Sequence, residues 1–174
     1  MLSIDIGLKN LGYAIYVDGT LLFDILSVDK QVDKSKPLTV ARALVLREFI
    51  SGLFQKYDIK KVIIEKQVNL NTAAMEMMYL LTGIICTYTE DIMIYDPKRK
   101  FITLCLNYDT HNKHHKALSV KIIGNYLAKE YPDLVDRFNS FKKKDDISDA
   151  MLMLFTVLYR AEKNKLKTIQ TCGL

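Results

Sequence analysis

Apolar residues gather in short alternating runs at the start of the chain and recur at helical spacing further on. Residues 2–6 (LSIDI), 11–17 (LGYAIYV) and 20–28 (TLLFDILSV) are rich in β-branched and aromatic side chains, and the turn formers GLKN and DG separate them. The pattern predicts three consecutive antiparallel strands. A polar segment, DKQVDKSKP, precedes LTVARALVLREFISGLFQKY, where Leu38, Ala41, Leu44, Val45 and Phe49 recur at helical spacing. KKVIIEKQ then reads as a short strand. Its place after a helix predicts a crossover that returns it parallel to the first strand.

The segment NTAAMEMMYLLTGIICTY, residues 71–88, predicts a second long helix with Asn71 or Thr72 as N-cap. IMIYDP predicts a strand that Pro97 stops. Residues 98–116, KRKFITLCLNYDTHNKHHK, are basic and poorly periodic, and are expected to form a long loop. A helix from Lys116 to Lys129 follows, then a break at YPDL, then a last helix from about Asp146 to Lys163. This order describes an α/β fold: a mixed five-stranded sheet, made of a three-strand antiparallel meander plus parallel strands, flanked by helices. A length of 174 residues is expected to form a single domain over 1–174.

Charge adds a direction. The formal net charge of +5 and a pI near 9.0 favour a polyanionic partner. Cys86, Cys105 and Cys172 are odd in number and include no CxxC pair, which fits free thiols in a reducing compartment and excludes a zinc finger. The strand-like run begins at Leu2, so no cleaved signal or transit peptide is expected. The longest apolar-rich stretch, residues 73–88, contains Glu76 and is short for a bilayer, so a soluble intracellular protein with no membrane contact is expected.

Against this background four carboxylates stand out. Asp5 interrupts an apolar strand, and Glu65 ends another. An ionised carboxylate in such a place must reach solvent, pair with a cation or hold a metal. Asp146 and Asp149, in DDISDA, are three apart and share a helix face. If the crossover sets the fourth strand beside the first, all four acids can meet at one sheet edge, where hard divalent cations such as Mg²⁺ or Mn²⁺ relieve their repulsion. Singly, each has another reading. Asp5 would bond the GLKN turn, Glu65 would pair with Lys66 or Lys61, and Asp145 and Asp146 would serve as N-cap and first-turn residue.

The ordered segments SIDIGLKNLGYAI (3–15), VIIEKQ (62–67), IYDPKRK (94–100), KALSVKII (116–123) and DDISDAMLM (145–153) resemble the RuvC-like Holliday junction resolvases of the RNase H-like fold, most closely their poxvirus and mitochondrial relatives. The resemblance implies a structure-selective endonuclease that resolves four-way DNA junctions by paired symmetrical nicks, leaving 5′-phosphate and 3′-hydroxyl ends. It implies that Asp5, Glu65, Asp146 and Asp149 hold two Mg²⁺ ions, with Mn²⁺ as a substitute. It further implies a catalytic lysine, matched best by Lys116 and next by Lys113. Asp145 competes with Asp146 as ligand because it also shares a face with Asp149; we assign Asp146 and treat Asp145 as the cap. Similar resolvases pair as homodimers through the helix after Glu65, which sets two active sites on a two-fold junction. A viral enzyme acting in the cytoplasm is expected ahead of a mitochondrial one.

Other features are weighed beside this set. Basic clusters at 98–100, 111–116 and 142–144 flank the candidate elements and suit phosphate contact. Phe101 and Tyr108 would either stack on bases or anchor the basic loop. His111, His114 and His115 lack a second ligand pair at zinc spacing and are assigned to surface or phosphate contact. Met75, Met77 and Met78 suit core or interface packing, Asn10 and Gly12 shape the first turn, and Gln67 either meets DNA or ends its strand. Rival readings are a nuclease of the same fold acting on other branched DNA or on RNA, a catalytically silent DNA-binding module, and an ATP-binding protein of the actin, sugar-kinase and Hsp70 type. The last repeats its phosphate loop in a second domain, for which this chain, with 7 glycines and no second such loop, offers no candidate.

Overall fold

A computed structural model describes residues 1–68, 71–104, 115–160 and 162–172. The meander is present as β1 (Leu2–Asp5), β2 (Asn10–Val17) and β3 (Thr20–Ser27). After α1 (Val28–Gln31) and α2 (Leu38–Lys56), the chain forms β4 (Val62–Glu65), α3 (Thr72–Ile85) and β5 (Ile92–Tyr95). Then come α4 (Pro97–Thr103), α5 (His115–Glu130), a 3₁₀ turn (Pro132–Leu134), α6 (Val135–Ser140), α7 (Lys144–Leu158) and α8 (Lys163–Thr171).

The five strands form one sheet in the order β3-β2-β1-β4-β5. β1–β2 and β2–β3 are antiparallel, whereas β1–β4 and β4–β5 are parallel. At the β2–β3 hairpin, Asp18 and Gly19 both take positive φ (49° and 78°), the backbone that a two-residue turn needs to match strand twist. β1 and β4 align Leu2 with Val62 and Ile4 with Ile64, so the next residues along are Asp5 and Glu65. The expected parallel crossover therefore holds.

Period-two alternation decides which face each acid takes. Leu2, Ile4, Val62 and Ile64 pack on one side, against Leu46 and Ile50 of α2 and Met77 and Leu81 of α3. Met77 and Met78 thus serve the core. Asp5 and Glu65 lie one step out of phase and face the opposite side, where Ala14 packs against α5 and α7. Helix α7 occupies the centre of that side. Its residues from Ile147 to Phe155, apart from Asp149, are buried, so it is apolar almost all round, as a helix inside a core must be.

Several boundaries differ from the sequence expectation. Residues 98–103 are helical: Asp96 caps α4 by accepting from the Lys98 amide, and Pro97 sits at N1, where its missing N–H costs nothing. Val28 leaves the third strand and opens α1, with its side chain fully buried. The YPDL break is followed by α6, which inserts Phe138 into the core beside Phe23. The last helix is two, with α7 ending at Leu158 and α8 starting at Lys163. Asn71 caps α3 through its side chain. At α7 the N-cap is Lys143, without a side-chain bond, and Asp145 falls inside the first turn, so Asp145 is not the cap.

Candidate active site

A cleft of about 550 Å³ opens at the carboxyl ends of β1 and β4, beside the N-terminus of α7. Asp5, Glu65, Asp146 and Asp149 all line it, together with Lys100 and Lys116. Two parallel strands in register supply the first pair of acids, and the first and second turns of α7 supply the other pair. The approach of α7 is made possible at β2: Gly12, opposite Asp5 in the register, carries no Cβ, and one placed there would lie 2.4 Å from the Asp146 carbonyl oxygen.

Crowding of like charge sets the electrostatics. Burial pushes the Asp5 carboxyl well above the ordinary aspartate range, and the neighbouring Glu65 charge, a hydrogen bond with Glu65 and the Asp149 charge push the same way. Asp146 is also raised, first by burial and then by the Asp145 charge. Gln67 donates to Glu65 Oε2 at 3.2 Å, an internal partner at the strand end. Lys61 pairs with Asp91, and the cation beside Glu65 is Lys100.

The cation among these acids is one that the sequence reading placed only in a basic run. Lys100 is 3% exposed, and its Nζ lies 2.6 Å from Asp149 Oδ1 and 3.6 Å from Glu65 Oε1. Ser119, fully buried in α5, donates to the same Asp149 Oδ1 at 2.7 Å. The signal for Lys100 lay in the D-P start of α4, which turns Lys100 and Phe101 inward while Lys98 and Arg99 remain exposed. Phe101 is 2% exposed and anchors α4, so it offers no face for base stacking.

Lys116 lies at the rim. It is well exposed, and its Nζ sits 2.6 Å from Asp145 Oδ2. That bond raises the Lys116 pKa; at Asp145, burial works upward but Lys116 prevails and holds the carboxyl low. Asp145 thus tethers a lysine, while Asp146 faces the cleft with Lys143 Nζ at 4.0 Å. His115 lines the same cleft, its ring 5.0 Å from that of Phe101. Lys113, His111, His114, Tyr108 and Cys105 lie outside the described residues.

The donor set is all carboxylate oxygen, which suits a hard divalent cation. Among the described residues no group of three or more His, Cys, Asp or Glu side chains forms a ready ion cage. The ammonium of Lys100 nevertheless demonstrates that positive charge fits between Glu65 and Asp149.

Compared with protein-family models, residues 1–160 match the family described as Poxvirus A22 protein. No curated protein matches. Among solved structures, the fold is similar to Thermus thermophilus RuvC (TM-score 0.59, 16% identity, 92% of this chain and 97% of that one). It is also similar to T. thermophilus RuvC in complex with Holliday junction substrate (0.58, 14%, 95% and 98%). The yeast mitochondrial Holliday junction resolvase Ydc2 gives 0.54 at 14% identity, covering 99% of this chain and 80% of that one. At such identities the likeness is one of fold.

Proposed function

This chain belongs to the Poxvirus A22 protein family, and from that premise we propose that it is a divalent-metal-dependent endonuclease that resolves four-way DNA junctions by paired symmetrical nicks. The observation that carries the reading is the convergence of Asp5, Glu65, Asp146 and Asp149 on one cleft whose rim is basic. The similarity of fold to RuvC bound to its Holliday junction substrate supports the same substrate class.

Asp5, Glu65, Asp146 and Asp149 would hold two Mg²⁺ ions, or Mn²⁺ in their place. Such ions supply an acidified water as nucleophile and stabilise the departing 3′ oxygen of a phosphodiester. The chain's own residues do the rest. β1 and β4 fix Asp5 and Glu65 on a rigid sheet, and Ser119 fixes Asp149. Lys116, on the first turn of α5, would offset charge that builds on the scissile phosphate. Exposed Lys9 and Lys143 at the cleft bring the DNA backbone to an otherwise acidic centre.

The reading includes a homodimer. Between α2 and α3 lies a cleft of about 700 Å³ lined by Leu80, Ile84 and the exposed Tyr79 and Tyr88, which suits a self-complementary contact. No helix among the described residues is long and apolar enough to cross a membrane. A place of action in the cytoplasm, where the virus would replicate, belongs to the same proposal.

The test is incubation with Mg²⁺ and, in turn, a labelled four-way junction, a fork, a linear duplex and an RNA–DNA hybrid. Paired symmetrical nicks on the junction, resealed by ligase, are the expected result. Cleavage of the hybrid or the fork with an intact junction overturns the junction assignment in favour of another nuclease of this fold.

A further inference from the structure

Lysine is almost never buried unless something compensates its charge. Lys100 is buried at the floor of the cleft, with carboxylates on two sides at 2.6 and 3.6 Å. It reaches there from α4, which Asp96 and Pro97 start at the end of β5. Two carboxylates at these distances favour the charged ammonium form of the group. Its Nζ also lies over the Phe101 ring, 5.6 Å from the ring centre.

Two cations cannot share Glu65 and Asp149 at such distances without strong mutual repulsion in a partly dry site. Asp149 offers Oδ1 to both Lys100 and Ser119, so the oxygen that a metal would compete for is already doubly engaged. We propose that Lys100 is a displaceable counter-cation, whose ammonium holds the Glu65–Asp149 side of the acid cluster in the metal-free protein and must leave before a divalent ion can use both of those carboxylates. This rests on the nuclease reading above. Its consequence is unequal loading: one ion binds without disturbing Lys100, and a second binds only at the cost of the Lys100 ion pairs. The flexible four-carbon stem allows the ammonium to swing away without moving α4.

Mn²⁺ titration followed by the resonance of the free ion, without DNA, tests the inference on the native protein and on Lys100→Met. The native protein should bind one ion tightly and a second at least about tenfold more weakly, and the variant should bind the second at least about tenfold more tightly than native. Superimposable isotherms, or weaker binding by the variant, overturn the proposal. A native protein that binds no Mn²⁺ at millimolar concentration overturns the nuclease reading itself, a separable result. Should Lys100→Met not fold, reductive methylation of the native protein with peptide mapping decides the question. Lys100 should be protected in chelator and modified at Mn²⁺ concentrations that fill both sites. Protection that persists at those concentrations overturns displacement.

Discussion

Gly12 and Asp146 touch through bare backbone: a Cβ on Gly12 would lie 2.4 Å from the Asp146 carbonyl oxygen and 2.6 Å from its carbonyl carbon. Because Gly12 pairs with Asp5 across the β1–β2 ladder, this contact sets the distance between the sheet's acid and the helix's acid. Gly12→Ala should push the first turn of α7 outward, since the obstructing atoms are backbone and cannot rotate away. We expect a loss of about 2–3 kcal/mol in stability and of about 10²-fold or more in junction cleavage. Retained cleavage with an unchanged melting temperature would show that α7 has slack at this point.

Asp5 is a site whose ionisation strains the fold. Its pKa is raised by folding, so its contribution is neutral below the unfolded value of about 4 and becomes unfavourable as pH climbs through the raised folded value. In chelator, Asp5→Asn should therefore melt higher than the native protein by roughly 2–4 °C at neutral pH, equivalent to about 1 kcal/mol. The gap should close near pH 4 and shrink when Mg²⁺ is added to the native protein. Calorimetry across that pH range checks this, and cleavage by the variant should be abolished. A variant that melts lower at neutral pH would contradict the crowding argument.

Ser119 and Lys100 hold the same oxygen of Asp149. Ser119→Ala removes a buried donor but leaves Lys100 in place, so a stability loss of about 1–2 kcal/mol is expected. If Ser119 positions Asp149, the Mn²⁺ concentration at half-maximal cleavage should rise several-fold while junction affinity in chelator stays unchanged. An unchanged metal dependence would reduce Ser119 to packing.

The two adjacent acids of α7 should separate cleanly. Asp146→Asn is expected to lose Mn²⁺ binding and cleavage, whereas Asp145→Asn keeps Mn²⁺ binding because Asp145 faces Lys116. Calorimetric titration of each variant with Mn²⁺ measures this directly. The reverse order would make Asp145 the ligand.

Lys116→Ala removes a largely exposed ion pair, so its cost in stability should stay below about 1 kcal/mol. Cleavage of bound junction should fall by about 10²–10³-fold. The slope of log affinity against log salt should flatten by about one unit if Lys116 contacts a phosphate. Unaltered single-turnover cleavage would remove it from the chemistry.

What the sequence determined by itself was what repeats locally. Alternation in LSIDI and VIIEKQ identifies the strands, and the out-of-phase acids at their ends mark Asp5 and Glu65. The three-residue spacing of Asp146 and Asp149 likewise put both on one face of a helix that turned out to reach the cleft. The helix in KRKFIT is hidden from local pattern because basic residues mask its D-P start, and propensity alone gives a short helix little weight. Tertiary structure decided the rest. Whether a lysine is a solvated charge or the buried partner of Asp149 depends on which elements close over it, and periodicity carries no such information. The same holds for Gly12, whose missing side chain matters only because α7, 134 positions later at Asp146, packs against it. Long-range packing brings together groups that no local pattern relates.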